Sequence, residues 1–258
     1  MGNSTSKSSS SPKDRKSKTR GRGKGKPQAL SISAPAGGLQ MIPTPQRDGS
    51  GRPIVAQSFE INRDQLLHAF HHMADYLRQQ GTNLTIYVAG GAVNTIYLRS
   101  RHTTGDVDFF GSNEQSRLLK DASKYAQQHS LAQLGANWFN NSMSLFLGRS
   151  LEQDLMYASH QQGVVLFTEP GLTVYAVPWE YALCGKTDRL TKPTKRSYDA
   201  ADAVAYLHQC VIANNGHPVR VRQVEAWAKK YNKAVTEQVL RGIDTLYKTK
   251  YGKHGILF

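Results

Sequence analysis

The chain is poor in cysteine, in acids and in long apolar runs. Only Cys184 and Cys210 occur in 258 residues, which excludes a disulfide framework and a cysteine-rich metal motif and fits a reducing, intracellular compartment. No apolar stretch approaches the roughly 20 residues of a membrane-spanning helix. No apolar core follows the basic N-terminus, so no secretory signal is expected. The expected location is the cytoplasm, with peripheral membrane association left open. Acidic residues number 19 against 33 Lys and Arg, for a formal net charge of +14. More than half of that excess lies in residues 1–26, where nine Lys/Arg face one acid, Asp14. Basic tails of this kind bind nucleic acid or anionic membrane.

Large apolar residues are also scarce as far as about residue 55. Burial there cannot offset the entropy of ordering, so the segment is expected to be disordered. Its first residues, Met1-Gly2-Asn3-Ser4-Thr5-Ser6, fit the N-myristoylation pattern at Gly2, although an ordinary terminus fits them too. One acyl chain anchors weakly, whereas one chain plus a polybasic run forms a two-signal anchor.

Ordered structure is expected from near Phe59, as a core over 56–178 and a helical region over 179–258. Asn62 is placed to cap a helix to about Gln80, with Leu66, Phe70, Met73 and Leu77 on one face. Leu84–Ala89 reads as a buried strand, Gly90-Gly91 as a turn, and Ala92 to about Ser100 as a helix. Asp106–Phe110 reads as a second strand, and Ser112 or Asn113 as the cap of a helix over 114–128. A strand near Ser144–Leu147 and a helix near Leu151–His160 follow. Val164–Phe167 and Leu172–Val177 read as strands joined at Glu169-Pro170-Gly171. Helices are expected over 179–189, 198–213, 220–231 and 234–248. This order gives an α/β (α+β) class, a mixed sheet flanked by helices with a C-terminal helical part.

The chemistry concentrates in Thr103-Thr104-Gly105-Asp106-Val107-Asp108-Phe109-Phe110. On a strand, residues two apart share a face, so both carboxylates point one way while Val107 and Phe109 turn to the core. Like charges side by side repel, and a divalent cation relieves the repulsion. The chain has 12 Asp, and random placement alone predicts roughly 0.5 Asp-x-Asp pairs, so the pair gains its meaning from context. A strand–Gly-Gly–helix unit precedes it, and such turns favour phosphate through backbone N–H groups and the helix dipole.

Val88-Ala89-Gly90-Gly91-Ala92-Val93-Asn94, followed by Arg101-His102-Thr103-Thr104-Gly105-Asp106-Val107-Asp108-Phe109-Phe110, resembles the nucleotidyltransferase superfamily of the DNA polymerase β type. The arginine and threonine before the acids are similar to its minimal and abortive-infection branch. Ala176–Arg189 resembles the helix that presents a lysine in that branch, Lys195–Asp202 its basic-then-acidic helix start, and the whole assembly is similar to a set of fungal proteins. The resemblance spans roughly residues 60–210. It implies a metal-dependent nucleotidyltransferase that moves a nucleoside monophosphate from an NTP to an acceptor such as RNA, a protein or a small molecule. Asp106 and Asp108 would hold Mg²⁺ (or Mn²⁺), and Gly90, Gly91, Thr104 and Lys186 would bind nucleotide. For Lys186 a salt bridge to Asp199 or Asp202 fits equally, and those two acids are also placed to pair with Lys195 and Arg196. Such enzymes carry a third carboxylate on a later strand. Val164–Phe167 has none, which leaves Glu169 and Asp154 as candidates. The alternative function is a catalytically degenerate nucleotide-binding or scaffold protein, placed at membranes by an acylated basic tail.

Other clusters have plainer readings. His68, His71 and His72 fit a partly exposed helix face better than a metal site. Trp138-Phe139-Asn140-Asn141 fits core aromatics and a polar turn better than a base-stacking platform. Arg220, Arg222, Lys229 and Lys230 fit solvated helix faces better than an RNA track.

Overall fold

Helix α1 (Arg63–Gln79) begins as the sequence prescribes. Asn62 Oδ1 accepts from the Gln65 N–H at 3.0 Å, and Gln65 Oε1 accepts from the Asn62 N–H at 2.8 Å, a reciprocal capping box. Leu66, Ala69, Phe70, Met73 and Leu77 form its buried stripe. The computed structural model describes residues 46–47, 49–54 and 57–258. The expectations for Gly2 and the basic tail lie outside these residues. Within the segment expected to lack order, Gln46–Arg47 pairs antiparallel with Pro53–Ile54. Gly51 at φ 81° makes the turn, and Arg47 donates to its carbonyl oxygen at 2.6 Å.

The sheet has five strands: β1 (Leu84–Ala89), β2 (Val107–Phe110), β3 (Phe139–Asn140), β4 (Val165–Glu169) and β5 (Leu172–Ala176). Their spatial order is β3-β2-β1-β5-β4. The β1–β5 and β2–β3 pairs are parallel, and β1–β2 and β4–β5 are antiparallel. The sheet is therefore mixed and flanked by helices, as expected. The register matters for the site, because Asp108 lies opposite Ala89 on one side and Asn140 on the other. The carboxylate strand thus sits beside the end of β1, where the Gly-Gly turn begins.

Helix α2 (Gly91–Ile96) follows that turn, and α3 (Ser116–His129) packs on α1. Helix α4 (Arg149–Gln162) leads into β4. Beyond β5 come α5 (Trp179–Leu190), α6 (Asp199–Ala213), α7 (Val221–Lys230) and α8 (Glu237–Tyr251), the C-terminal helical part. One apolar core runs through all of this, from Ile61 to Ile256. Among the described residues no helix is long and apolar enough to cross a membrane.

Four local expectations are corrected. Helix α2 stops at Ile96 rather than near Ser100, because the N–H groups of Tyr97 and Leu98 both turn to Val93 O and Arg99 is left-handed at φ 52°. Strand β2 begins at Val107, so Asp106 sits just before it. Ser112 precedes a 3-10 turn (Asn113–Gln115) that leads into α3, but its side chain does not cap it; it is left-handed at φ 51°, and its hydroxyl donates to Thr85 O at 2.8 Å. The strand expected at Ser144–Leu147 is a 3-10 turn over Ser142–Phe146, and the strand lies instead at Phe139–Asn140. Two residues carry no period of their own. Pairing with β2 and the stacking of Phe139 on Phe109 at 4.2 Å define that strand. Trp138 is buried beside it, in the core rather than on a platform.

Candidate functional site

The end of β1 is shaped by what packs on Gly90-Gly91. Gly90 adopts φ 71°, a conformation that side chains disfavour. Gly91 leaves no space either, since a Cβ there would collide with the Thr104 hydroxyl and lie 2.8 Å from Thr104 Cβ. Tyr206, buried on α6, holds the turn from behind: its hydroxyl reaches Gly90 O at 3.1 Å and Asn94 Oδ1 at 2.6 Å.

Asp106 and Asp108 face a cavity of about 530 Å³ that the two glycines also line. Val107 and Phe109 turn to the core, which is the alternation the sequence implied. Burial, then the neighbouring Asp106, pushes the Asp108 carboxyl up to about 6, although Asn140 hydrogen-bonds it. Burial also raises Asp106, against the pull of Arg196, Arg101 and Arg189. Two carboxylates are thus held together where neither is well solvated, an arrangement that a hard cation would relieve.

The basic residues around them divide into two groups. Arg101 and Lys186 are tied down. Arg101 grips Asp202 through Nε and a terminal nitrogen and stacks on Tyr198, 3.5 Å from the ring centroid. Lys186 Nζ sits 2.8 Å from Asp199 and 2.7 Å from Asp202. Asp199 and Asp202 are fully buried, and Asp199 also accepts from the Arg196 N–H at 2.8 Å. Buried charges persist only when paired and hydrogen-bonded, and this network fastens α5 and α6 to the loop before β2. Arg189 and Arg196 are freer. Arg189 Nε lies 4.0 Å from Asp199, and the Arg196 side chain donates to the Tyr198 hydroxyl at 2.7 Å. Both line the 530 Å³ cavity and a second one of about 490 Å³ that meets it at Gly90, Asp108 and Lys186. Lys192 and Lys233 line the second cavity.

The structure brings Gly90, Gly91, Asp106, Asp108, Thr104 and Lys186 to one place. Thr104 is buried, however, and its hydroxyl donates to Asp106 O at 3.2 Å rather than standing free. Glu169 and Asp154 are elsewhere: Glu169 accepts from His71 at 2.7 Å and Asp154 lines a different cavity. The other acid at the site is Glu60, bonded by the Thr103 hydroxyl at 2.5 Å. Sequence reading missed it because it precedes α1 and reaches Thr103 only through the pairing of Ile61–Asn62 with Thr103–Thr104. Arg189 carried a usable signal, lying one helical turn from Lys186.

Among the described residues no group of three or more His, Cys, Asp or Glu converges as a metal site. Two carboxylates nevertheless suit Mg²⁺, which keeps several waters and is commonly held by one or two carboxylates plus substrate phosphates. His68, His71 and His72 cluster with His129 and Tyr125 on α1 and α3, away from this site.

Residues 59–254 match the family model described as Domain of unknown function (DUF7582), and the chain belongs to that family. No curated protein and no solved structure matches the chain.

Proposed function

We propose that this DUF7582 member is a metal-dependent nucleotidyltransferase. The observation that carries the reading is the pair Asp106 and Asp108, desolvated against the Gly90-Gly91 turn and faced by Arg189 and Arg196. A Mg²⁺ ion held by Asp106 and Asp108 would supply charge neutralisation at the transferring phosphorus. The chain's own part is positioning. Gly90 and Gly91 let the backbone approach a triphosphate without side-chain obstruction. Arg189 and Arg196 balance its charge, and Tyr206 holds the turn rigid. The Arg101–Asp202–Lys186–Asp199 network fixes the walls and leaves the less tightly held Arg189 and Arg196 facing the cavity. The acceptor, whether RNA, protein or small molecule, would enter beside Asp108 through the second cavity.

Nucleotide binding without turnover is the second reading. It is favoured by Glu169 and Asp154 lying away from the pair, which leaves no third carboxylate on the sheet beside it among the described residues. In either case the basic tail, with Gly2 acylated, would bring the domain to an anionic membrane.

The test incubates the full chain with each α-labelled NTP, Mg²⁺ or Mn²⁺, and RNA and protein acceptors, beside the Asp106→Asn/Asp108→Asn protein. Label transfer by the wild type alone supports the enzyme. Stabilisation of the wild type by NTP and Mg²⁺ without transfer supports the binder. Absence of both overturns both. Liposome binding lost on Gly2→Ala checks the tail separately.

A further inference from the structure

A smaller cavity of about 350 Å³ shares Arg101 and His102 with the candidate site but neither carboxylate. Helix α1 starts in its wall. By helix geometry the first-turn N–H groups of Arg63 and Asp64 have no intrahelical acceptor, and the Asn62 side chain satisfies only Gln65. The helix is 17 residues long, so its dipole adds positive potential here.

A second observation comes from a different element. Thr95 on α2 is 1% exposed, lines this cavity, and its hydroxyl has no hydrogen-bond partner. Buried hydroxyls are almost always hydrogen-bonded, so one without a partner at a cavity wall points to a missing partner, to which it can donate. Nε of Arg63 is likewise buried without a partner. Arg99, left-handed at φ 52°, brings a guanidinium that makes no ion pair among the described residues. The one acid present, Asp64, is bonded to Arg63 at 3.1 Å and is 89% exposed.

The unmet groups can all donate a hydrogen bond and none is an anion, and they arrive from α1, α2 and the loop after α2. That set calls for an acceptor-rich anion, and three separate directions suit a tetrahedral oxyanion better than a planar carboxylate. We propose that this cavity is a phosphate-binding subsite, separate from the carboxylate pair and independent of whether nucleotidyl transfer occurs.

The test follows backbone amide shifts of the full chain by NMR during titration with inorganic phosphate at constant ionic strength, with chloride as control. Saturable shifts are expected at Arg63, Asp64 and Thr95. Arg99→Gln should weaken them about tenfold, the scale of one lost charge-assisted contact. Thr95→Ser should keep binding and Thr95→Val should weaken it. If Thr95→Val does not fold, the exposed Arg99 position carries the test. A parallel titration with a dinucleoside monophosphate identifies the source. Binding of phosphate alone assigns the site to free or terminal phosphate, and equal binding of the diester assigns it to a polynucleotide backbone. No saturable shift at these amides beyond the chloride control, or shifts that survive Arg99→Gln, would overturn the proposal.

Discussion

Replacing Asp108 by Asn should make the metal-free protein more stable at neutral pH while abolishing the proposed nucleotidyl transfer. The Asp108 carboxyl rises from an ordinary 3.8 to about 6, first through burial and then through Asp106. Because the folded value lies above the unfolded one, the stability linked to this group is full below about 3.8 and is lost as pH rises through about 6. At about 1.4 kcal/mol per pH unit, the ionised carboxylate costs roughly 3 kcal/mol at pH 7.5. Asn keeps the shape and can still hydrogen-bond Asn140, but it carries no charge. For a folded region of this size, about 2–4 °C accompanies each kcal/mol. The variant should therefore melt roughly 6–12 °C above the wild type at pH 7.5 and within about 2 °C of it at pH 4. Millimolar Mg²⁺ should narrow the gap by raising the wild type alone. Thermal unfolding at pH 4, 6 and 7.5, with and without Mg²⁺, gives the measurement. A variant less stable at pH 7.5, or a gap that ignores both pH and Mg²⁺, would refute the claim that this pair is strained and awaits a cation.

Three further outcomes follow from other parts of the fold. Gly171→Ala should destabilise by about 2–4 kcal/mol in urea unfolding, because Gly171 sits at φ 109° and an added Cβ would collide with Ala74 O beneath α1. Gly91→Ala should cost about 1–3 kcal/mol through overpacking against Thr104, and it should also weaken nucleotide-dependent thermal stabilisation. Asp244→Ala should cost about 2–4 kcal/mol, since its carboxylate accepts from His254 at 2.6 Å and from the Gly255 and Ile256 N–H groups at 2.8 and 3.0 Å. Burial alone would raise the Asp244 pKa, but those bonds overcome it and hold it low. The stabilisation is therefore present above the ordinary carboxylate value and fades as pH falls through the lower folded one. Urea midpoints of variant and wild type should converge only in strong acid.

What the sequence made legible was local or periodic. Asn62 and Gln65 are three residues apart, so the start of α1 could be read directly. Pro170-Gly171 marked the β4–β5 turn, and the strand that runs into Gly90-Gly91 lies beside the strand that carries Asp108. What escaped was decided by partners far along the chain. For Asp199 and Asp202 the sequence offered Lys186, Lys195 and Arg196, and both acids do pair with Lys186 while Asp199 accepts from the Arg196 N–H. What it did not show was Arg101, 101 residues from Asp202, which their full burial on α6 brings to the same network. Strand β3 was invisible for the same reason, as were Glu60 and the unpaired Thr95 hydroxyl: each acquires its meaning from a surface supplied by another element.

That division of the cations decides how mutants at this site must be read. Lys186 was the lysine the resemblance singled out, yet its ammonium is held between two fully buried carboxylates. Lys186→Met would strand those charges, and breaking one partner of a buried pair costs about 3–5 kcal/mol. Loss of activity in that variant should therefore accompany a large fall in melting temperature, and it says nothing about phosphate contact. Arg196 is different, since its side chain touches Tyr198 and no carboxylate. Arg196→Gln should leave the fold within about 1 kcal/mol of the wild type, as removal of a partly exposed polar contact does. It should nevertheless weaken NTP-dependent stabilisation about tenfold, through loss of one charge-assisted phosphate contact. Melting curves and nucleotide titrations on both variants separate the roles. Equal loss of stability in the two, or undiminished nucleotide affinity in Arg196→Gln, would show that the free and the structural cations had been wrongly divided.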